Sequence, residues 1–359
     1  MEPKKISHTQ LMALIWAGVL APAAELLPVI TLPVAGKGAW LAPLAAVPLV
    51  LLMGGLLGKL SGERGLAGEL RARFGPVFGS VLLIIYVVWA EVLLALRLRL
   101  CARRLLASGY RDGALWFFLL AVAALVLWMG LGRLPAFARA GQVILVVLGV
   151  TVAAVLLLAL PKVRLERVLP LWRGDVRPVL TAALSAAGVL GWGVYAAFLA
   201  GQVTPKDNKR SWYGLFWGVG GCLLLTLAQG VILGNLGPAL AGKLEGPFFA
   251  LAKSVGVEGA FQRVESVVAA LWTLADLVMG VILLFAVKTI LGELSPMLQK
   301  RRWTVGAMVL AVVLALGGFS DGAAERWNRT VVPWGNLMLG LGLSVLLVSV
   351  GGMGRKRKR

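Results

Sequence analysis

The sequence predicts an all-α integral membrane protein of ten transmembrane helices in a five-plus-five repeat, with helices 1 and 6 broken. Three observations carry that prediction. Of 359 residues, 59% are hydrophobic, and a membrane-spanning helix uses roughly 20 mostly apolar residues, so the apolar content matches ten spans. Charged residues make up 14% where a soluble chain has about 25%, and mean hydropathy is +0.88. The apolar residues also fall into ten runs separated by turn residues and charges.

Those runs lie at about 9–33, 39–58, 76–96, 114–131, 141–160, 179–203, 212–234, 265–289, 303–319 and 331–351. Breaks such as Ser61-Gly62-Glu63-Arg64-Gly65 and Thr204-Pro205-Lys206-Asp207-Asn208 separate them. The longest gap, about 235–264, holds Gly237-Pro238 and Gly246-Pro247, and its Pro247–Phe261 stretch reads as a short interfacial helix. No gap has room for a second folded unit, so residues 1–359 read as one transmembrane domain. Its first repeat is about 9–160, its second about 179–351, and 355–359 is a basic tail. Lys4, Lys5 and Ala21-Pro22-Ala23 imitate a signal peptide. The apolar run continues to Pro33, however, and an uncleaved first span is expected.

Several function classes drop out on counts. One histidine, His8, and two cysteines, Cys101 and Cys222, give no metal-ligand spacing and no disulfide framework. No phosphate-binding loop appears, so neither an enzyme nor a cofactor is expected. The net charge of +20 sits in short segments between apolar runs, as membrane anchors do, and Arg355-Lys356-Arg357-Lys358-Arg359 reads as an anchor for anionic headgroups. The partner implied by this basicity is the lipid bilayer, not nucleic acid. Lys and Arg total 20 on the side of the termini and 16 on the other, which favours both termini in the cytoplasm. On that count Arg97, Arg99, Arg103 and Arg104 belong to an outer loop. Asn328-Arg329-Thr330 forms a glycosylation sequon with no weight in a bacterial chain.

Many transporters bind substrate where corresponding helices of two repeats are interrupted near the midplane. Span 1 carries Ala21-Pro22-Ala23-Ala24-Glu25, where Pro22 removes an amide donor and disfavours helix at Ala21. Span 6 carries Gly188-Val189-Leu190-Gly191-Trp192-Gly193, and each glycine weakens a helix by roughly 1 kcal/mol relative to Ala. Ala21, Pro22, Ala23, Glu25, Gly188, Gly191, Trp192 and Gly193 are therefore the candidate ligand-binding residues. A kink at Pro22 and tight packing at Gly191 and Gly193 are the plainer alternatives.

Three carboxylates fall inside apolar runs: Glu25, Glu91 and Asp276. Each costs about 2.5–3.5 kcal/mol at the bilayer centre on insertion scales and should face a cavity or a partner. All three are candidates for proton or ion coupling. Glu25 lies in the span 1 break and stands evenly between ligand group and internal cap. Asp276 favours a hydrogen bond to a neighbouring helix, and Glu91 favours an ion pair with one of the arginines that follow it. Trp40, Trp116, Trp172, Trp212, Trp303, Trp327 and Trp334 read as an interfacial belt; Trp192 and Trp272 lie deeper.

Ile6-Ser7-His8-Thr9-Gln10-Leu11, then Pro28 and Ala35-Gly36-Lys37-Gly38-Ala39-Trp40-Leu41, then Gly246-Pro247, Phe261-Gln262-Arg263-Val264-Glu265-Ser266 and Leu271-Trp272 form an ordered set. In these stretches the chain resembles the B subunit of spore germinant receptors (GerAB type), a branch of the amino acid–polyamine–organocation transporter superfamily. The resemblance implies a LeuT-like fold in the spore inner membrane or cell membrane of a spore former, A and C receptor subunits as partners, and a small-molecule nutrient ligand. By that match, Ala21 to Glu25 and Gly188 to Gly193 line the pocket. The chain departs from the family where Glu25 and Asp276 stand, which points to an amine nutrient or a proton-linked role beside the usual amino acid. The expected function is nutrient sensing. A proton-coupled amino acid or polyamine permease is the alternative, and a ligand-free structural subunit the third reading.

Overall fold

A computed structural model of the chain describes residues 5–62, 64–107, 113–169, 171–204, 211–255 and 264–356. Helix α1 (His8–Ala35) starts at Ser7, whose hydroxyl accepts from the Gln10 amide while the Gln10 side chain answers the Ser7 amide, a capping box that satisfies two orphan donors. A 3-10 turn, Gly36–Leu41, leads to α2 (Ala42–Ala45) and α3 (Val47–Ser61). The short α4 (Gly65–Phe74) precedes the long α5 (Pro76–Ala107), followed by α6 (Leu115–Gly130) and α7 (Leu134–Ala159). Then come α8 (Val176–Leu190), a 3-10 turn at Gly191–Gly193, and α9 (Val194–Phe198).

The chain continues through α10 (Ser211–Leu236), α11 (Pro238–Ala241), α12 (Pro247–Ser254) and α13 (Val264–Leu294). α14 (Arg301–Val313) ends in a π turn, Leu314–Gly318. The last stretch is α15 (Asp321–Arg326), a π turn at Trp327–Val331, α16 (Val332–Leu337), a second π turn at Met338–Gly342, and α17 (Leu343–Lys356). Among the described residues there is no strand beyond a single bridge between Ile6 and Val203.

Among the described residues eight helical stretches are long and apolar enough to cross a membrane, and α6 is a shorter apolar helix. The first stretch, His8–Ser61, doubles back on itself. α10 runs with α1, since Trp16 lies against Gly221 and Gln229 donates to Thr31. It runs against α2 and α3, since Leu51 meets Gly218 and Trp40 meets Gly230. α1 and α3 are therefore antiparallel. α13 also opposes α1, with Met279 beside Gly18.

Two sequence expectations are corrected by this architecture. Span 1 is not broken: α1 is helical from His8 to Ala35 with Pro22, Pro28 and Pro33 inside it. A proline removes one donor but fixes φ near the helical value, so the ladder resumes within a turn. Span 6 does change form, tightening to a 3-10 turn at Gly191–Gly193. Secondly, the arginines expected in an outer loop sit on the last turns of α5, and Arg97 and Arg99 are 9% and 7% exposed. The expected Pro247–Phe261 helix is seen as Pro247–Ser254. Phe261, Gln262 and Arg263, and Arg357 to Arg359 of the tail, lie outside the described residues.

Candidate functional site

The ends of the bundle differ. Where α1 begins, Ile6 is fully buried and pairs with the segment after α9, through Ile6 N–H to Gln202 O and Thr204 N–H to Ile6 O, both 2.9 Å. At the far end a cavity of about 440 Å³ opens between α1, the end of α5, α12 and the π turn at Trp327–Val331. This size falls within the usual range for small-molecule sites, about 300–1,000 Å³.

Of the residues expected to bind ligand, Pro22 and Glu25 line this cavity. Ala21 and Ala23 are fully buried in the core. Gly188 and Gly191 let α16 approach: a Cβ on Gly188 would collide with the Pro333 carbonyl, and one on Gly191 would sit 2.8 Å from the Asn336 carbonyl. Trp192, 2% exposed, packs on Gly18 of α1, and Gly193 faces Ile15. The tight-packing alternative thus describes Gly191, and Gly188 with it, while a Cβ on Gly193 would meet nothing closer than Ile15 at 3.8 Å.

Glu25 projects from α1 toward α12. That helix begins at Gly246, which has no side chain to cap it, so its first amides need an outside acceptor. The Glu25 carboxylate faces the amides of Phe248 and Phe249, with the Trp272 indole alongside and Arg104 nearby. Among the described residues Glu25 Oε2 and Trp272 Nε1 are both buried without a close hydrogen bond. Phe248 stacks on Trp272 at 4.9 Å between ring centroids, which fixes α12 against α13.

Asp276, one turn beyond Trp272, is 3% exposed and forms an ion pair with Arg104. Arg97 stands 3.9 Å from its other oxygen. A second group is built around Glu325, which takes Arg103 at 3.4 Å and Arg329 at 2.6 Å. Arg99 donates to Asp321 at 2.7 Å and to the Ala315 carbonyl at 2.5 Å. These pairs stitch α5 to α13 and to the last stretch of the chain.

Glu91 has a different setting. It is 4% exposed and neither carboxylate oxygen has a hydrogen-bond partner among the described residues. The expected ion pair between Glu91 and a following arginine is not formed, because Arg97, Arg99, Arg103 and Arg104 engage Asp276, Asp321 and Glu325 instead.

The arginines were legible only in hindsight. Arg97 and Arg104 are seven apart, two turns along one helical face, and Arg99 and Arg103 are four apart on another. Leu, Cys and Ala between them continue the apolar pattern of α5. Asn328, dismissed as part of a sequon, also lines the cavity. Among the described residues no group of His, Cys, Asp and Glu could hold a metal ion.

Against known sequences, the model of the family described as "Spore germination protein" matches residues 5–319. The chain belongs to the spore germination protein family. Searches of curated proteins return no match. Among solved structures, this spore germination protein is similar to MhsT in complex with L-phenylalanine, with TM-score 0.69, 15% identity, and coverage of 94% of this chain and 89% of that one. It is also similar to Mhp1, a nucleobase-cation-symport-1 family transporter in a closed conformation with bromovinylhydantoin bound. There the TM-score is 0.67, identity 14%, and coverage 91% of this chain and 75% of that one. The fold is therefore LeuT-like, as the sequence resemblance implies. The protein is a permease-like integral membrane protein, and its family and fold neighbours are not enzymes.

Proposed function

We propose that this spore germination protein is the nutrient-sensing membrane subunit of a germinant receptor, taking an amino acid or amine in the far-end cavity beside Glu25. The observation that carries this reading is the cavity itself. Glu25, a carboxylate placed inside an apolar helix at a cost, lines it together with Pro22. The near end is held by the pairing of Ile6 with the segment after α9, away from the cavity. Ligand binding would favour one arrangement of α1 and α12 over another, and it can shift that balance only by its differential affinity for the two. The A and C receptor subunits are the proposed readers of the change.

The orientation proposed is termini in the cytoplasm and cavity outward, in the spore inner membrane or cell membrane. Arg97, Arg99, Arg103 and Arg104 are engaged within the bundle, so they leave the loop count. Taking those four from 16 leaves 12 against 20, which strengthens the bias toward cytoplasmic termini. The second reading is a proton-coupled amino acid or polyamine permease, and the unpartnered Glu91 favours it, since a buried carboxyl without a cation is suited to carrying a proton.

The test is a thermal-shift panel of nutrients on purified protein, run beside Glu25→Gln. A ligand at 100 times its dissociation constant stabilises the fold by about 2.7 kcal/mol, and the reading expects that shift to be lost or weakened in the variant. A shift that Glu25→Gln leaves untouched rejects this cavity. Uptake of the same nutrient into proteoliposomes would decide for the permease.

A further inference from the structure

The sequence draws attention to Glu25 and hence to amines, but the wall of the cavity is predominantly cationic. Arg97, Arg103, Arg104, Arg329 and Lys253 line it, against Glu25, Glu245 and Glu325. Glu245 and Lys253 are exposed at the rim, where solvent and salt screen them. The arginines of the wall belong to two triads, each with two guanidiniums and one carboxylate, the Asp276 triad buried and the Glu325 triad partly exposed. Arg104 and Arg97 share Asp276, and Arg103 and Arg329 share Glu325. Each triad carries one positive charge in excess, and Glu25, turned toward the amides of α12, offsets one of the two. One unit of positive charge is left over in the wall.

That surplus can be located. Arg104 and Arg329 hold their carboxylates closely, and Arg103 adds the Asp321 carbonyl at 3.2 Å. Arg97 has the weakest set. It is 91% buried by the complement of its 9% exposure, stands 3.9 Å from Asp276, and makes one hydrogen bond among the described residues, 3.4 Å to Asn328 Oδ1. A guanidinium has five N–H donors in a planar fork, and this one lines the cavity with most of them unspent.

Given the ligand-binding reading above, on which this rests, we infer that Arg97, with Asn328 beside it, is an anion-anchoring subsite that takes the carboxylate of the ligand. Asn328 offers its amide N–H as a second donor, and the π turn at Trp327–Val331 brings it and Arg329 to the wall. A bidentate carboxylate on the guanidinium fork is the arrangement this geometry favours. A ligand with only an ammonium group would leave the surplus charge unanswered and add to it. Arg97 is then the residue that selects carboxylate-bearing ligands, and Glu25 sets what lies at the other end.

The experiment uses the full-length protein in detergent and matched triplets: alanine, ethylamine and propionate; leucine, isoamylamine and 4-methylpentanoate; phenylalanine, phenethylamine and 3-phenylpropanoate. Melting midpoints are titrated for wild type, Arg97→Gln, Arg97→Lys and Asn328→Ala, each checked for monodispersity. Within a responding triplet, the amino acid or the plain acid should bind and the amine should not. Arg97→Gln should weaken the carboxylate-bearing member by roughly ten- to a hundredfold. Arg97→Lys, which keeps the charge and loses the fork, should fall between, and so should Asn328→Ala. Selectivity within a triplet does not depend on absolute stability, so a weakened fold still gives an answer. An amine that binds as well as its amino acid, or an Arg97→Gln protein with unchanged preference, overturns the anchor while leaving the nutrient reading standing. If no triplet shifts the midpoint, the anchor is overturned, and added sugars and purines decide the rest. A shift by one of those keeps ligand binding, and silence from all rejects both.

Discussion

Asp276 and Glu91 are two carboxylates on facing helices, α13 and α5, and are 3% and 4% exposed. In the sequence they look alike, each a single acid inside an apolar run. In the structure one is the hub of an arginine triad and the other has no partner for either oxygen among the described residues. The difference teaches that depth alone does not define an acid's role in a membrane bundle. Asp276 is met by Arg104, which enters the bundle with it, and the pair ties α5 to α13 beside the cavity. Glu91 lies six residues before Arg97 and thirteen before Arg104 on the same helix, both arginines turn to Asp276, and among the described residues it is left without a cation.

Breaking the comparison from the Asp276 side should give the largest effect. Asp276→Asn leaves Arg104 and Arg97 buried without their shared anion, and should destabilise the protein by about 3–5 kcal/mol, read as a lowered melting temperature in detergent. The Asp276→Leu, Arg104→Leu double variant should lose less than Asp276→Leu alone, because it leaves only Arg97 without its anion in place of two guanidiniums. A double variant as unstable as the sum of the singles would show that the pair is not coupled.

Nearer Glu91, Trp89 donates its indole N–H to Asn336 Oδ1 at 2.9 Å, joining α5 to α16. Trp89→Phe should cost about 1 kcal/mol for that bond. Smallest of all should be Glu91→Gln, within about 0.5 kcal/mol of wild type, since it keeps the shape of a side chain that has no hydrogen bond or ion pair to lose among the described residues. A loss as large as that of Asp276→Asn would mean that Glu91 is ionised and paired, and would erase the contrast. Proton-coupled uptake lost in Glu91→Gln without loss of stability would sharpen it toward the permease.

How much of this was readable follows the same line. The membrane class, the helical spans and the family-like fold were legible, because apolar run length is a local property. The two proposed breaks show where locality ends. At Pro22 the missing amide is absorbed by a helix of Ala and Leu that continues on either side. At Gly191 the backbone tightens because α16 and the second π turn press on it, with Asn336 and Gly340 in contact. The sequence carries the glycines, but not the helix that arrives from 140 residues later. In the candidate site Glu25 and Pro22 were legible. Arg97, Arg104 and Asn328 were not, since charges at the end of an apolar run resemble a loop until their anions on α13 and α15 are placed beside them.

The most direct test of the central claim is protection of a cavity cysteine from alkylation. Ala250 lines the cavity on α12, while Lys37 is exposed outside it, in the turn that follows α1. Both native cysteines, Cys101 and Cys222, are fully buried and give little background. Ala250→Cys and Lys37→Cys would be labelled with a polar maleimide across a panel of amino acids, amines, sugars and purines. The account predicts that at least one nutrient slows labelling at Ala250→Cys and leaves Lys37→Cys unchanged. Equal labelling at Ala250→Cys with and without every nutrient would contradict it.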